Sequence, residues 1–369
     1  MNVPILDLKA QYAGLEAEID AALRRVCRSS AFALGPEVEQ FERDWAAYCE
    51  AGHCVAVQSG TAALHLALLA LDVGEGDEVI TTPMSFFATA EVILYTGARP
   101  VFADVDRRTA CIDVARVEEL ITERTRAIMP VHLFGHPADM DPLLALADAH
   151  GVPVVEDACQ AHGALYKGHK VGALGRAGAF SFYPTKNLGA YGEGGALVTD
   201  DPELAERARM LRNHGQNARY RHARVGYNYR MTGFQGAVLN VKLPHLDTWN
   251  GVRRRIAARY TKALADTGVA TPHEAEWASC VWHQYAIRTD RRDALQKRLT
   301  EAGVGTGIHY PIPIPDLEAM REPAPRCAPA GLPEAAAWAR EELSLPIHPD
   351  LSDEQVEYVI KTVKRSLGA

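Results

Sequence analysis

Lys186 stands in the run Ser181-Phe-Tyr-Pro-Thr-Lys186-Asn-Leu-Gly-Ala-Tyr-Gly-Glu-Gly-Gly195, where an apolar strand gives way to a glycine-rich turn. A lysine amine attacks a carbonyl only when it is deprotonated, which desolvation or a neighbouring cation brings about, and it can then form an imine with an aldehyde. A lone lysine is ordinarily a solvated surface group. Its chemistry therefore depends on partners.

The first partner lies in Val154-Val-Glu-Asp157-Ala-Cys-Gln160-Ala-His162-Gly163, where two carboxylates end an apolar strand. A carboxylate beside a core is costly unless it faces a positive group. A pyridinium nitrogen is such a group, and Asp157 would keep it protonated so that the ring can accept electrons from a breaking carbon–hydrogen bond. Glu156 points to the opposite face of the strand and is assigned to structure. The competing role for Asp157 is a helix N-cap. The second partner is Gln58-Ser59-Gly60-Thr61-Ala62 at a strand-to-helix junction, where free backbone N–H groups and the helix dipole suit a phosphate. Gly60 allows close backbone approach, while Thr61 and Ser181 each add a hydroxyl donor. The third is Phe86-Phe87, just past a strand end: one ring offers a flat face for stacking and the other packs inward.

The elements that must bring these groups together are short apolar runs alternating with helical patterns. The runs begin near residues 54, 78, 100, 127, 152, 177 and 195. The pattern predicts an α/β fold with a mostly parallel seven-stranded sheet flanked by helices, its chemistry at the strand ends. Residues 60–71 read as a buried helix and 213–228 as a polar functional loop. Residues 247–265 read as a solvated connector helix and 321–333 as an exposed loop. The expected division is a large domain over 1–249, including an N-terminal helix, and a smaller C-terminal α/β domain over 250–369.

A net charge of -8 at pH 7 argues against a nucleic-acid groove or an anionic membrane as partner. The N-terminus lacks the basic and long apolar regions of a signal peptide, and no run matches a membrane span. Seven scattered cysteines without a CxxC pair suggest free thiols in a reducing cytoplasm. His132 and His136 have helical spacing, but Gly135 and Pro137 break a helix there, so they are assigned to loop or core and no metal is expected. No G-x-S-x-G elbow supports a hydrolase.

Taken together, SGTAALHLAL, PVHLFG, VVEDACQAHGA, FSFYPTKNLGAYGEGG, GYNYRM and VGTGIHYPIP resemble the DegT/DnrJ/EryC1/StrS family of sugar aminotransferases, within the fold-type I pyridoxal-5′-phosphate (PLP) enzymes. The resemblance runs from Pro4 to Pro346. It implies that Lys186 is the Schiff-base lysine, Asp157 the partner of the ring nitrogen, Gln160 a contact of the ring hydroxyl and Phe86 the stacking aromatic. It implies phosphate contacts from Thr61, the Ala62 amide and Ser181, and from Asn228 of a neighbouring subunit, hence a homodimer with shared sites. Tyr183, His309 and Tyr310 match positions lining the sugar-nucleotide pocket. The expected reaction is ping-pong: L-glutamate gives its amino group to PLP, yielding pyridoxamine phosphate, which passes it to a UDP- or dTDP-linked keto sugar. The phrases WHQYAIRT and GVGTGIHYPIP favour 3-keto over 4-keto substrates by the same resemblance. A ketocyclitol substrate and a non-catalytic PLP-binding regulatory protein are the rivals; dehydratase relatives carry histidine where this chain has Lys186.

Overall fold

The computed structural model describes residues 1–322 and 324–368. Ten of the fifteen strands among the described residues build the two cores: β1 (His53–Val57), β2 (Glu78–Thr81), β3 (Arg99–Phe102), β4 (Thr125–Met129), β5 (Val155–Asp157), β6 (Ala177–Ser181), β7 (Gly195–Thr199), β8 (Tyr285–Arg288), β9 (Arg326–Cys327) and β10 (Glu342–Leu345). One set runs β9-β3-β2-β4 and another β5-β6-β7-β1. Parallel bridges Ile128–Val154 and Val131–Asp157 join β4 to β5 and make the two sets continuous. All seven strands expected from the sequence are present. Only β7 runs antiparallel to its neighbours, β1 and β6.

The sheet is buried on both faces. On one side α1 (Gly60–Ala70) is apolar nearly all round and lies among Val55, Val57, Val79, Ala179 and Leu197. A helix without a polar face has no stable place except inside a core. Ser59 caps it, accepting from the Ala62 N–H at 3.1 Å. On the other side Phe182 meets Phe41 and Trp45 edge to face, and Phe180 meets Trp45 in the same way, in a core cluster that also holds Ile80 and Val101.

A second core gathers Ile256, Tyr260, Tyr285, Leu299, Leu343, Val359 and Val363 around the antiparallel pair β8–β10. Val3 joins it and bridges Val304, so the N-terminus is tied to this C-terminal cluster. Two sequence expectations need correction. The helix near 247–265, α2 (Leu246–Leu264), is no solvated connector: Asn250, Arg253, Ile256, Tyr260 and Leu264 are buried, and the Arg253 guanidinium donates to the Trp282 and Ile347 carbonyls. Its arginine-rich composition hid a buried face at helical spacing. The segment 321–333 is not wholly an exposed loop either, because β9 adds a parallel edge strand beside β3 and Arg326 donates to Glu78 at 2.8 Å. A two-residue strand is too short for alternation to reveal.

Candidate active site

Close backbone packing assembles the site. Gly60 opens α1 directly against β6: a Cβ there would fall 2.7 Å from Ser181 Cβ and 2.8 Å from Cys159 Sγ. Gly195 opens β7 against the same turn, where a Cβ would fall 2.3 Å from the Ser59 carbonyl carbon. The helix N-terminus, the end of β6 and the turn after β5 thus meet only because these positions have no side chain. They wall a cavity of about 830 Å³ that also contains Phe86, Thr89, Gln160, Tyr183, Lys186, His283, His309 and Tyr310.

Lys186 follows β6 in a turn closed by its own N–H to the Tyr183 carbonyl at 2.9 Å. Desolvation holds its amine below the ordinary lysine range, with Cys159 and Asp157 acting in the opposite direction. Among the described residues the amine makes no hydrogen bond, so it is free to react.

Asp157 is only 4% exposed. Its Oδ2 accepts from the Thr89 hydroxyl at 2.8 Å and its Oδ1 from the Cys159 N–H at 3.1 Å. The Ser85 and Thr89 hydroxyls lie 2.7 Å apart; with the Thr89 proton committed to Asp157, Ser85 is the donor between them. A buried carboxylate held by two donors keeps acceptor capacity for a cation in the cavity. Glu156 does serve structure: its buried carboxylate accepts from His132 and from the Gly172, Leu174 and Gly175 N–H groups.

Gln160 is clamped at both ends of its amide, accepting from the Phe134 N–H at 2.7 Å and donating to the Tyr310 hydroxyl at 3.2 Å. Phe86 is 59% exposed at the mouth, its ring centroid 6.2 Å from that of Tyr310, whereas Phe87 packs inward beside Phe102 and Ile314. Gly60, Thr61 and Ser181 line the cavity; Ala62 is buried behind it, its N–H turned to Ser59. Asn228 lies outside this cavity, exposed and accepting from Arg230 at 3.0 Å. His132 and His136 each use both ring nitrogens inside the protein, to Glu156, Ala138, Pro137 and Ala275.

Sequence reasoning missed several groups. Thr89 and Ser85 sit one turn apart around the start of the helix after β2, a spacing that could have signalled a hydroxyl pair facing the strand ends. His283 is brought in from the segment before β8, with Nδ1 at 3.2 Å from Asn187 Oδ1. The Asn187 amide donates to Asn250 and Val281, so its oxygen must accept from His283. That leaves His283 Nε2 as an acceptor. Nothing local in WHQY signals this, because the pairing spans 96 residues.

These groups fit pyridoxal phosphate: a helix N-terminus with the Thr61 and Ser181 hydroxyls for phosphate, a buried carboxylate for a ring cation, and an amine of lowered basicity. The constellation is that of a Schiff-base-forming PLP enzyme. Comparison with known proteins agrees. Residues 14–364 match the model of the DegT/DnrJ/EryC1/StrS aminotransferase family. The chain is 50% identical over 365 residues to dTDP-3-amino-3,4,6-trideoxy-alpha-D-glucose transaminase of Streptomyces venezuelae, covering 98% of this chain and 96% of the relative. It is 41% identical over 365 residues to UDP-N-acetyl-3-dehydro-alpha-D-glucosamine 3-aminotransferase of Acidithiobacillus ferrooxidans, covering 99% and 98%. The crystal structure of S. venezuelae DesV in complex with a ketimine intermediate superposes with a TM-score of 0.97 at 49% identity, covering 100% of this chain and 99% of that one. The protein belongs to the DegT/DnrJ/EryC1/StrS aminotransferase family and is a PLP-dependent aminotransferase. No helix among the described residues is long and apolar enough to cross a membrane.

Proposed function

We propose that this enzyme transfers the amino group of L-glutamate to the 3-keto group of a UDP- or dTDP-linked sugar. The observation that carries the reading is the Lys186 amine, its basicity lowered by desolvation, in a cavity also lined by Tyr183, His309 and Tyr310. That cavity lies at the upper end of the size range for small-molecule sites, room for a cofactor and a second ligand together. The two curated relatives are named for 3-amino and 3-dehydro sugars, which supports carbon 3 and a nucleotide-linked substrate.

When bound, the cofactor supplies an electron sink for the carbon whose proton is removed. The chain supplies the rest. Asp157, braced by Thr89, would hold the positive charge of the ring nitrogen, and Phe86 at the cavity mouth would cover a ring face. Lys186, once free, carries the proton between substrate carbon and cofactor, and its lowered basicity suits a group that must both take and give it. Asn228 contributes to the phosphate of a second subunit's site, making the active unit a homodimer that works in the cytoplasm. The division of labour between residues 1–249 and 250–369 follows: the first unit holds the cofactor and the second closes over the sugar with His309 and Tyr310.

Turnover against matched 3-keto and 4-keto nucleotide sugars with glutamate as donor tests the assignment. Amination of the 3-keto compound is expected, and turnover of the 4-keto compound alone refutes carbon 3. Mixed dimers of K186A and N228A chains test the shared site, because one of their two sites would be intact; no recovered activity refutes it.

A further inference from the structure

His309 has one free ring nitrogen. Its Nδ1 lies 2.9 Å from Ser344 Oγ, and among the described residues Nε2 has no hydrogen-bond partner. Ser344 Oγ lies 2.6 Å from Glu342 Oε1, and the other oxygen of that carboxylate accepts from the His309 backbone N–H at 2.5 Å. Glu342 and Ser344 alternate along β10, are fully buried, and form no part of the cavity wall.

Counting protons fixes the direction of this chain. An ionised carboxylate only accepts, so Ser344 gives its single hydroxyl proton to Glu342. Ser344 Oγ then accepts from His309 Nδ1–H, and the neutral imidazole presents a lone pair at Nε2. Protonated Glu342 reverses every step: it donates to Ser344, Ser344 donates to Nδ1, and the ring proton sits on Nε2. The change is balanced by one proton entering at Nε2 while the Nδ1 proton passes to Ser344 and the Ser344 proton passes to Glu342.

We propose that Glu342 and Ser344 are positioning residues that decide which tautomer of His309 faces the acceptor sugar, and so whether that position recognises a hydroxyl or a carbonyl or phosphate oxygen. The proposal rests on the reading of His309 as a substrate-side group. Burial supports it by pushing the Glu342 carboxyl up to about 7, while burial and the Lys186 charge push His309 down to about 4 and keep its ring neutral. The surrounding groups leave the relay intact. Arg292, from the helix Arg292–Glu301, is the cation that acts on the Glu342 carboxyl, and it donates to the Glu342 main-chain carbonyl. Arg288, opposite on β8, turns to Glu341 and the Trp338 ring. Tyr310, the next residue after His309, has its hydroxyl engaged by Gln160.

The test is the ¹⁵N spectrum of histidine-labelled holoenzyme, with the His309 signals assigned by their loss in H309N. The wild type should pass from the Nε2–H tautomer to the Nδ1–H tautomer as pH rises through about 7. E342Q can donate to Ser344 while accepting from the His309 N–H, so it should remain Nε2–H throughout; S344A should lose the pH response. In steady state above about pH 7, where the wild type presents the Nε2 lone pair, both variants should raise KM for the keto sugar about tenfold, the scale of one misdirected hydrogen bond, and affect kcat of the glutamate half-reaction far less. A wild-type tautomer that ignores pH, or an S344A spectrum that follows it, overturns the proposal. Failure of the wild type to aminate any nucleotide sugar instead refutes the substrate reading, and the spectra still decide the relay.

Discussion

Replacing Thr89 by valine removes one hydroxyl and almost no volume. That hydroxyl donates to Asp157 Oδ2 at 2.8 Å and accepts from Ser85, so Thr89→Val frees one oxygen of the carboxylate and strands the Ser85 proton. The Cys159 N–H still holds Oδ1, so Asp157 keeps its place but loses its orientation about one bond. A hydrogen bond to a charged group contributes about 1.5–3 kcal/mol, equivalent to about 10-fold to 100-fold in rate where the carboxylate must face a developing charge. The amino-donor half-reaction, followed by stopped-flow absorbance of the cofactor on mixing with glutamate, should slow by that factor. Thr89→Ser should recover most of it. A half-reaction in Thr89→Val within about twofold of wild type would mean that Thr89 only fills space beside Asp157, and the bracing argument would be wrong.

Lys186→Ala should abolish both half-reactions by the same absorbance assay. Lys167→Ala and Lys170→Ala should not, since those lysines pair with Asp141 and Asp247. Gly60→Ala forces a methyl against Ser181 and Cys159; overpacking of this kind costs about 1–3 kcal/mol, and a lower denaturation midpoint with weaker cofactor retention on dialysis is expected. Glu156→Gln turns an amide N–H toward backbone donors that now point at a carboxylate, and a loss of about 1.5–3 kcal/mol in a denaturant titration should follow. Burial lowers Lys242 to about 8 against an unfolded value near 10.5. The unfolded chain therefore binds this proton more tightly. Below about pH 8 the buried charge carries its full penalty, and stability is regained as pH rises from there towards about 10.5, by at most about 3 kcal/mol. Lys242→Met should lack that part of the rise when the two proteins are compared by urea denaturation across this range.

The sequence by itself determined the seven main strands, because runs such as Val152–Glu156 and Ala177–Phe182 are apolar without helical period and end in turn residues. It also singled out Lys186, Asp157, the Ser59-Gly60-Thr61 turn, Ser181 and Phe86, since each stands at a strand end and strand ends of such a sheet share one edge. The family resemblance added Gln160, Asn228 and the residues on the sugar side. Tertiary structure alone decided how Asp157 is held, because Thr89 reaches it across 68 residues and leaves no pattern in either segment. The same holds for His283 against Asn187, and for the Glu342-Ser344 pair behind His309. It also decided that the arginine-rich helix Leu246–Leu264 hides a core face and that Arg326–Cys327 extends the sheet. Period and composition report which face of an element is apolar. Hydrogen-bond partners depend on the relative placement of elements, and a Gly60 that lets helix and strand touch fixes that placement without saying which side chains will meet there.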